Sequence, residues 1–420
     1  MSQTYLILSI IALASTVNAL RPLPWTFLSV PSFFVAWLTT ELAPHHLAAN
    51  VAVSAVLISM GALHGLKGWL ALGFSLVTAA GLIALIVESQ RTREVVEHAL
   101  QKDLRADYLS CIVPERASRY DLRVPWRQLL LPFYMRHPDV ERTKNVPYGE
   151  VRRRNLLDVY RHKSHPTGAP TLLQIHGGGW VISNKNQQGK PIMLHLASRG
   201  WVCFAPNYRL SPRAIWPAHI VDVKRALAWI REHGAAYGAD PGFVVVTGGS
   251  AGGHLAALMA LTANDPAYQP GFETADTSVQ AAVPHYGVYD IANETGLKGL
   301  AQRLKMLEVV VWKKKYADAQ DEFHQASPLF RVHEGAPPMF VIHGAHDSLV
   351  PVEEARHFVE RLRAVSKAPV VYAELPGTQH AFDVFPSIRT AHVVRAFERF
   401  VDYVYCTRNE AATAAPQVQP

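Results

Sequence analysis

A serine lies within a run of glycines at residues 248–253, where the sequence reads Gly-Gly-Ser-Ala-Gly-Gly. The β-branched run at 243–246 predicts a buried strand before it, and the apolar run at 254–261 predicts a helix after it. A G-x-S-x-G sequence between strand and helix is typical of a nucleophile elbow, a tight turn that lifts the serine hydroxyl clear of the backbone. The pattern therefore indicates Ser250 as a nucleophile.

A serine hydroxyl becomes a good nucleophile when a base takes its proton and a carboxylate orients that base. In hydrolases with this elbow, the acid and then the histidine follow the serine along the chain. Here the predicted strand at 338–344 leads into a loop with Asp347, and the predicted strand at 370–375 leads into a loop with His380. Both loops follow the C-terminal end of a strand, where open α/β sheets bind ligands. The sequence therefore predicts a triad of Ser250, Asp347 and His380.

Other side chains compete for the acid and base roles. They are the acids Asp290, Asp318, Asp321 and Asp383 and the histidines His343, His346 and His357. The first three acids follow no strand as clear as the one before Asp347. Asp383 comes after His380, against the expected order, and is interpreted as part of the local structure. We interpret His343 as a packed loop residue and His254, which follows the elbow, as a supporting group.

A second glycine run follows the predicted strand at 171–175, in the sequence His-Gly-Gly-Gly-Trp. Consecutive glycines let backbone N–H groups face a ligand, and such a loop contributes to an oxyanion hole together with the residue after the nucleophile. The predicted donors are Gly178, Gly179 and Ala251. The predicted supporting residues are His176, Gly177, Gly248 and Gly252. His176 is expected to hold the loop in place rather than to exchange protons.

Together these motifs resemble those of the hormone-sensitive-lipase-like α/β-hydrolases, over roughly residues 145–405. The resemblance extends to Tyr208, Arg209, Leu210, Pro212, Trp216, Pro217, Asp222 and Trp229. Two positions depart from the family pattern, because Gly249 stands where the family usually has Asp and Arg213 where it usually has Glu. The acid loop is also similar to that of acetylesterase and arylformamidase relatives.

The expected catalytic fold is α/β, a doubly wound and mostly parallel sheet, because predicted strands alternate with predicted helices. The resemblance implies the α/β-hydrolase fold and the hydrolysis of acyl esters, as in a carboxylesterase or lipase, through an acyl-enzyme on Ser250. An amidase, a deacetylase or an arylformamidase-like hydrolase would use the same triad, and so would acyl transfer to another alcohol. The alternative outside enzymes is an inactive, membrane-tethered scaffold. No cofactor or metal is expected, since the sequence has neither H-E-x-x-H nor paired cysteines.

The first 87 residues contain only three ionised side chains, at Arg21, Glu41 and Lys67. Four apolar stretches, at 5–20, 23–40, 47–63 and 69–87, approach the ~20 residues that span a bilayer, and Trp25, Trp37 and Trp69 lie near their ends. A cleaved signal peptide would need a basic start, and a soluble cap domain would show polar faces. The sequence therefore predicts a multi-pass membrane region of about four spans.

The charged residues that follow bear on orientation and partners. Arg91, Arg93, Lys102 and Arg105 favour a cytosolic catalytic domain, because basic residues collect on that side of a membrane. The segment at 126–134 is apolar and aromatic with basic flanks, which fits either a segment that binds anionic lipid headgroups or a surface helix with a packing strand. A sharper hypothesis is that it forms part of a lid or gate for lipophilic esters. Small-molecule or lipid esters and membrane lipids are the expected partners, and oligomeric state is left open. Nucleic acid is not expected, because the basic run at Arg152, Arg153 and Arg154 is short and acidic and basic residues nearly balance from residue 165 onward.

The sequence thus divides into transmembrane helices at 1–87, a basic linker at 88–140, a catalytic domain at 141–406 and a disordered tail at 407–420. The tail is assigned because it is rich in Ala, Pro and Gln. Residues 290–330 are expected to form helical structure over the site. The three cysteines, at 111, 203 and 406, indicate no disulfide framework.

Overall fold

Helices occupy most of the first 103 residues. The computed structural model describes residues 1–23, 28–297 and 300–414. Its N-terminal helices are α1 (Ser2–Leu20), α2 (Ser29–Glu41), α3 (Ala43–Ser59) and α4 (Gly65–Asp103). Of these, α1 and α4 are long and apolar enough to cross a membrane.

The α2 and α3 helices are shorter, at 13 and 17 residues, and are bent by 84° relative to one another. Pro44 lies in the first turn of α3, a position that suits proline, whereas proline disrupts the interior of a continuous helix. The prediction of about four spans is therefore not confirmed in the described part of the chain. It has two helices of spanning length, or three spans if the bent pair crosses as one. Trp25 lies outside the described residues.

The α4 helix runs without a break through residue 87, where the sequence placed the boundary between membrane region and linker. Beyond that point its buried residues Val96, Ala99 and Leu100 belong to the same apolar cluster as Phe397 and Phe400 of the last helix. The first part of the predicted linker is therefore a packed helix, continuous with the apolar region.

Two short helices, α5 (Pro114–Ala117) and α6 (Trp126–Leu130), lie between α4 and the sheet. Large apolar side chains of α6 and of the residues that follow it are exposed to solvent. They are Trp126, Leu130, Leu131, Phe133 and Tyr134, each 62–67% exposed. The imidazole of His45, at the start of α3, lies 3.4 Å from the Leu130 carbonyl oxygen. The exposed segment therefore lies beside the junction of the bent helix pair.

An eight-stranded sheet forms the centre of the catalytic domain. Its strands are β1 (Val140–Pro147), β2 (Leu156–His162), β3 (Ala169–Ile175), β4 (Val202–Pro206), β5 (Ala239–Gly249), β6 (Ala281–His285), β7 (Met339–Gly344) and β8 (Val370–Leu375). The spatial order is β1-β2-β4-β3-β5-β6-β7-β8. The pairs β1–β2 and β2–β4 are antiparallel, and the other pairs are parallel.

Helices cover both faces of this sheet. They are α7 (Lys190–Ser198), α8 (Ala218–His233), α9 (Ala251–Leu261), α10 (Leu300–Met306), α11 (Gln320–Gln325), α12 (Val352–Val365) and α13 (Ile388–Ala414). One apolar cluster joins the sheet to α8, α9 and α12, and a second joins it to α4, α7 and α13. Every residue of α9 is buried, which explains its apolar composition. The predicted doubly wound α/β fold is confirmed.

A buried ion pair attaches the N-terminal region to the catalytic domain. Glu41, the last residue of α2, accepts a 3.1 Å hydrogen bond from Arg389 of α13, and both side chains are fully buried. The Ser387 hydroxyl donates a second bond to Glu41, at 2.6 Å. Because a buried charge is costly unless it is paired, this contact fixes how α2 lies on the domain.

The C-terminal helix extends further than the sequence indicated. Its buried residues, among them Phe397, Phe400 and Val404, pack on the sheet, and the helix continues to Ala414. The predicted disordered tail began at residue 407, inside this helix. Residues 415–420 lie outside the described part of the chain.

Candidate active site

Ser250 occupies the turn between β5 and α9, with φ 59° and ψ −123°. A positive φ is uncommon for a residue that has a side chain and is typical of functional turns. The Ser250 N–H donates to the His285 carbonyl at 3.1 Å, which ties the turn to the end of β6. The serine therefore projects from a strained elbow at the C-terminal edge of the sheet, as its sequence predicted.

Asp347 and His380 form a direct pair at the same edge. Asp347 follows β7 and His380 follows β8, and the imidazole Nδ1 donates to the Asp347 carboxylate at 2.6 Å. The other carboxylate oxygen of Asp347 accepts backbone N–H bonds from Leu349 and Val350, at 2.9 and 2.8 Å. These bonds fix the carboxylate and leave the imidazole Nε2 as the nitrogen available to a substrate or nucleophile.

The electrostatics of Asp347 favour its charged form. Burial alone would raise the pKa of this carboxyl, but the adjacent His380 and His343 lower it well below its usual range. His343, on β7, lies with its Nε2 3.3 Å from the carboxylate. Burial opposes protonation of His343, whereas its hydrogen bond to Asp347 raises the pKa of the imidazole. The Asp347 carboxylate thus contacts two histidines, and the sequence predicted only the contact with His380.

Three of the four competing acids lie elsewhere. Asp318 and Asp321 are exposed. Asp290 is buried, but its carboxylate accepts bonds from the backbone of Glu294 and Thr295 and so shapes a local turn. Among the residues that the structure describes, Asp347 is the acid whose carboxylate meets the His380 ring.

The predicted oxyanion loop follows β3 and approaches the nucleophile. A carbon added to Gly177 would lie 3.1 Å from Cβ of Ser250, so the loop and the elbow touch. Gly178 and Gly179 have φ values of 103° and 59°. Within the described ranges, their N–H groups have no protein acceptor, whereas that of Gly177 donates to Gln188 at 2.6 Å. The loop therefore presents two free donors beside the elbow.

The elbow and the loop approach so closely that side chains are excluded. A carbon added to Gly248 would lie 2.5 Å from the Ile175 carbonyl oxygen, and one added to Gly252 would lie 2.8 Å from the His176 carbonyl oxygen. Real Cβ atoms do not come this close. Ala251, the third predicted donor, is the first residue of α9 and is buried. The glycines therefore allow the nucleophile turn to lie against the loop.

His176 is held as a supporting residue. Its ring stacks on Tyr208 with centroids 4.3 Å apart, and its Nδ1 lies 2.8 Å from the Gly177 carbonyl oxygen. Burial lowers the pKa of His176 to about 4, so the ring is neutral at pH 7. The Tyr208 hydroxyl donates to the His176 carbonyl at 2.9 Å. These contacts favour the interpretation that His176 fixes the glycine loop.

A cluster around Tyr286 was not predicted. Tyr286 follows β6, its ring centroid lies 4.6 Å from that of His380, and its hydroxyl donates to Asp383. His285 completes the cluster, with Nδ1 2.7 Å from the other Asp383 oxygen. The ring of Tyr286 also lies against Gly249, so it contacts both the elbow and the histidine loop. Nothing local in the sequence marks this cluster, because its members come from two segments that are far apart in the chain.

A second unpredicted neighbour of His380 comes from the N-terminal region. The Phe33 ring of α2 meets the imidazole edge-on, with centroids 6.0 Å apart and planes at 74°. Trp37, one turn further on, stacks on Phe33 and contacts Phe385, which also contacts Phe133 after α6. These four aromatic residues, Phe33, Trp37, Phe133 and Phe385, are called the aromatic wall below. The α2 helix therefore forms one side of the site.

The segment at 290–330 forms short helices, as expected, and they pack beside the domain. Trp312, at the end of this segment's π-helical turn, stacks on Trp216 at 5.1 Å and on Phe323 at 4.5 Å. Arg303 pairs with the buried Glu354 of α12. Residues 298–299 of the segment lie outside the described part of the chain. The segment is therefore anchored by a buried aromatic stack and an ion pair.

Known proteins resemble this chain along most of its length. Residues 157–362 match the family model described as BD-FAE. The chain is 43% identical over 423 residues to the probable carboxylic ester hydrolase LipM of Mycobacterium tuberculosis, covering 98% of this chain and 96% of LipM. It is 49% identical over 268 residues to esterase LipQ of the same organism, covering 63% of each. A solved structure of a thermophilic esterase from Thermogutta terrifontis, with butyrate bound, is 26% identical with a TM-score of 0.51, covering 67% of this chain and 97% of the other.

Proposed function

Since the chain belongs to the hormone-sensitive-lipase-like family of carboxylic ester hydrolases, we propose that Ser250, His380 and Asp347 are its catalytic triad. The observation that carries the proposal is the buried 2.6 Å hydrogen bond between His380 Nδ1 and Asp347, beside the elbow of Ser250. Tyr286 contacts both the imidazole and the elbow, which supports placing nucleophile and base together. The substrate is a carboxylic ester.

The proposed reaction proceeds in two acyl transfers. Ser250 Oγ attacks the ester carbonyl while His380 Nε2 takes the hydroxyl proton. Asp347 holds the imidazole in the tautomer with Nδ1–H and stabilises the imidazolium that forms. His380 then gives its proton to the leaving alcohol. In the second transfer, His380 takes a proton from water, the water attacks the acyl-enzyme carbonyl, and His380 returns the proton to Ser250 Oγ as the acid leaves. The strongly acidic character of Asp347 suits this role, since the carboxylate stays charged throughout.

The tetrahedral intermediate needs donors for its oxyanion. We assign this role to the backbone N–H groups of Gly178, Gly179 and Ala251. The first two have no other protein acceptor in the described ranges, and the third begins α9, where the helix dipole favours negative charge. Loss of one such donor typically costs ~10²–10³ in turnover.

Hydrolysis of p-nitrophenyl esters from acetate to palmitate by detergent-purified full-length protein tests the triad. Ser250→Ala should lose at least ~10³ of kcat and all labelling by a fluorophosphonate probe. Ser164→Ala, at an exposed serine in the loop after β2, is the matched control and should keep both. Equal activity of Ser250→Ala and wild type would remove Ser250 from the mechanism. Labelling without turnover would favour another acyl acceptor or an amide substrate.

We further propose that α1 and α4 cross a membrane and that lipid esters reach the site along the aromatic wall. The support is the spanning length of these helices, the contact of Phe33 with His380 and the exposed apolar segment at 126–134. The division into membrane helices, juxtamembrane segment and catalytic domain follows from this placement. Resistance of the full-length protein to alkaline carbonate extraction tests it, and release into the soluble fraction would overturn it.

The catalytic domain is proposed to face the cytosol. Arg91 and Arg93 lie on α4 directly after its apolar part, and basic residues favour the cytosolic side. Cys111 and Cys406 are free and partly exposed thiols on that domain. In intact cells, a membrane-impermeant maleimide should leave them unmodified, and lysis should make them reactive. Modification in intact cells would place the domain on the opposite side.

A further inference from the structure

A cavity of about 290 Å³ lies among the N-terminal helices, apart from the active site. Its walls come mainly from one stripe on each of three helices, α1, α3 and α4, and Thr39 of α2 completes them. Tyr5, Ser9 and Thr16 lie on one face of α1, His46 and Asn50 on one face of α3, and Ser75 and Thr78 on one face of α4. Polar residues at helical spacing thus converge in a region whose composition is otherwise apolar.

Two hydroxyl groups in this cavity have no partner. The Tyr5 hydroxyl and the Thr78 Oγ1 are buried without a hydrogen bond in the described part of the chain, and each residue is 1% exposed. An unpaired buried hydroxyl is unfavourable by about 1–3 kcal/mol in protein mutational data, and lipid surroundings offer no replacement for water. Polar side chains inside a membrane bundle usually mark a binding or transport site. Something that accepts or donates hydrogen bonds therefore fits the cavity.

The other wall residues define the chemistry of that group. Within the described residues, the lining has hydroxyl, amide and imidazole groups but no Asp, Glu, Lys or Arg. A phosphate or carboxylate head would lack a counter-charge there, so the fitting head is neutral. Leu8, Val53 and Leu82 supply apolar wall, and Leu8 and Val53 are 43% and 42% exposed. The cavity thus has a mostly apolar lining that carries a few hydrogen-bonding groups, and it is apolar where it opens outward.

We propose that this cavity binds the head of a neutral, hydroxyl-bearing lipid of the acylglycerol or alkylglycerol class, with its hydrocarbon chain along the apolar opening. Tyr5 and Thr78 hydrogen-bond the glycerol oxygens. The inference rests on the membrane placement proposed above but not on the catalytic triad. Thr39 of α2 lines the cavity, and the same helix carries Phe33 against His380, so a single helix separates the lipid site from the active site.

Photo-crosslinking of full-length protein in phosphatidylcholine nanodiscs tests the site. The probe is a 1-O-alkylglycerol with a diazirine in its chain, because the ether bond resists an esterase. Wild type should be labelled on α1, α3 or α4, and excess unlabelled alkylglycerol should suppress the signal. A phosphatidylglycerol probe of equal chain length should label these helices at least fivefold less. Tyr5→Phe/Thr78→Val, which removes two hydroxyls at nearly constant volume, should lower labelling at least fivefold.

Thr92→Val is the matched control, because its hydroxyl is also buried and unpartnered on α4 but does not line the cavity. It should keep labelling within twofold of wild type. The proposal would be overturned if the double variant were labelled as strongly as wild type. It would also be overturned if Thr92→Val lost as much labelling as the double variant, or if the anionic probe labelled wild type as strongly as the alkylglycerol. Absent labelling in wild type would mean that water alone fills the cavity. Size-exclusion chromatography would show whether the double variant misfolds. In that case the competitor experiment on wild type tests the proposal, and labelling that excess alkylglycerol does not suppress would overturn it.

Discussion

Gly249 and Tyr286 are in contact across the nucleophile elbow. A carbon added to Gly249 would lie 2.6 Å from the ring carbon Cε2 of Tyr286 and would also meet the hydroxyl group. The Tyr286 ring cannot shift easily, because its hydroxyl is bound to the buried Asp383 and the ring packs against His380 with the two planes at 60°. The absence of the family's usual Asp at position 249 is therefore explained by the tyrosine that fills its place.

Gly249→Ala should consequently displace Tyr286 and, with it, His380. A displacement of about 1 Å at a catalytic group costs ~10²-fold, so we expect kcat for p-nitrophenyl butyrate to fall by about that factor. Gly335→Ala is the matched control, since an added carbon there lies 3.4 Å from His333 and strains nothing else. Normal turnover in Gly249→Ala would show that the ring moves freely.

The role of Asp347 predicts a large effect of a small change. Asp347→Asn keeps the shape of the side chain but favours the wrong imidazole tautomer, and such a change costs ~10⁴ in kcat in a serine triad. The same change at the exposed Asp318 should leave kcat unaltered. Steady-state kinetics with a short-chain ester measures both. A loss below tenfold in Asp347→Asn would assign the orienting role to another acid.

The elbow and the acid and histidine loops were predictable because each is a local pattern at a strand end. Gly-Gly-Ser-Ala-Gly-Gly between a strand and a helix predicts a nucleophile elbow. The order of acid and histidine after the serine then indicated the two loops that carry Asp347 and His380. Tyr286 and Phe33 carry no such pattern. Each reaches His380 through tertiary packing, Tyr286 from the end of β6 and Phe33 from a helix more than 200 residues earlier in the chain.

The number of spans could not be predicted from hydropathy for a related reason. Hydropathy shows that residues 29–59 are apolar but not that α2 bends away from α3 or that Glu41 is buried against Arg389. The one acidic residue in that stretch was the available signal. A charge in an apolar segment is costly without a partner, and its partner here lies in the catalytic domain.

That ion pair makes a separate prediction about stability. Arg389→Met leaves Glu41 buried without its cation and should lower the free energy of unfolding by about 3–5 kcal/mol, because an uncompensated charge remains. Glu41→Leu/Arg389→Met removes both charges and should recover most of the loss. Thermal unfolding of the three proteins in the same detergent measures this. Equal loss in the single and double variants would mean that the pair acts only through its shape.

Buried histidines predict loss of stability in acid. Burial lowers the pKa of His254 to about 4, and its Nε2 lies 2.7 Å from the Ala326 carbonyl oxygen, which accepts from the neutral ring. The unfolded chain, with a pKa near 6.5, binds the proton first as pH falls. The contribution of His254 is therefore complete above pH 6.5 and is lost between 6.5 and 4, by about 3 kcal/mol.

His254→Gln should flatten the acid side of the stability profile, because glutamine does not titrate. His333→Gln, at an exposed position, is the control and should leave the profile as steep as in wild type. Melting temperatures between pH 4.5 and 7.5 compare the three proteins. An unchanged slope in His254→Gln would assign the acid sensitivity to other groups, such as His176 or His392, whose pKa values burial also lowers.

The unbroken α4 helix sets a distance. At ~1.5 Å per residue its 39 residues extend about 58 Å, whereas the hydrocarbon core of a bilayer is only ~30 Å thick. If α4 crosses a bilayer as proposed, the rest of the helix extends beyond it, and Val96 and Leu100 in that part pack into the catalytic domain. With α4 inserted in a bilayer, its packing against the catalytic domain would hold that domain at a fixed distance from the lipid surface. Ser250, the proposed nucleophile, would then reach only those ester bonds that lie at that distance from the lipid surface.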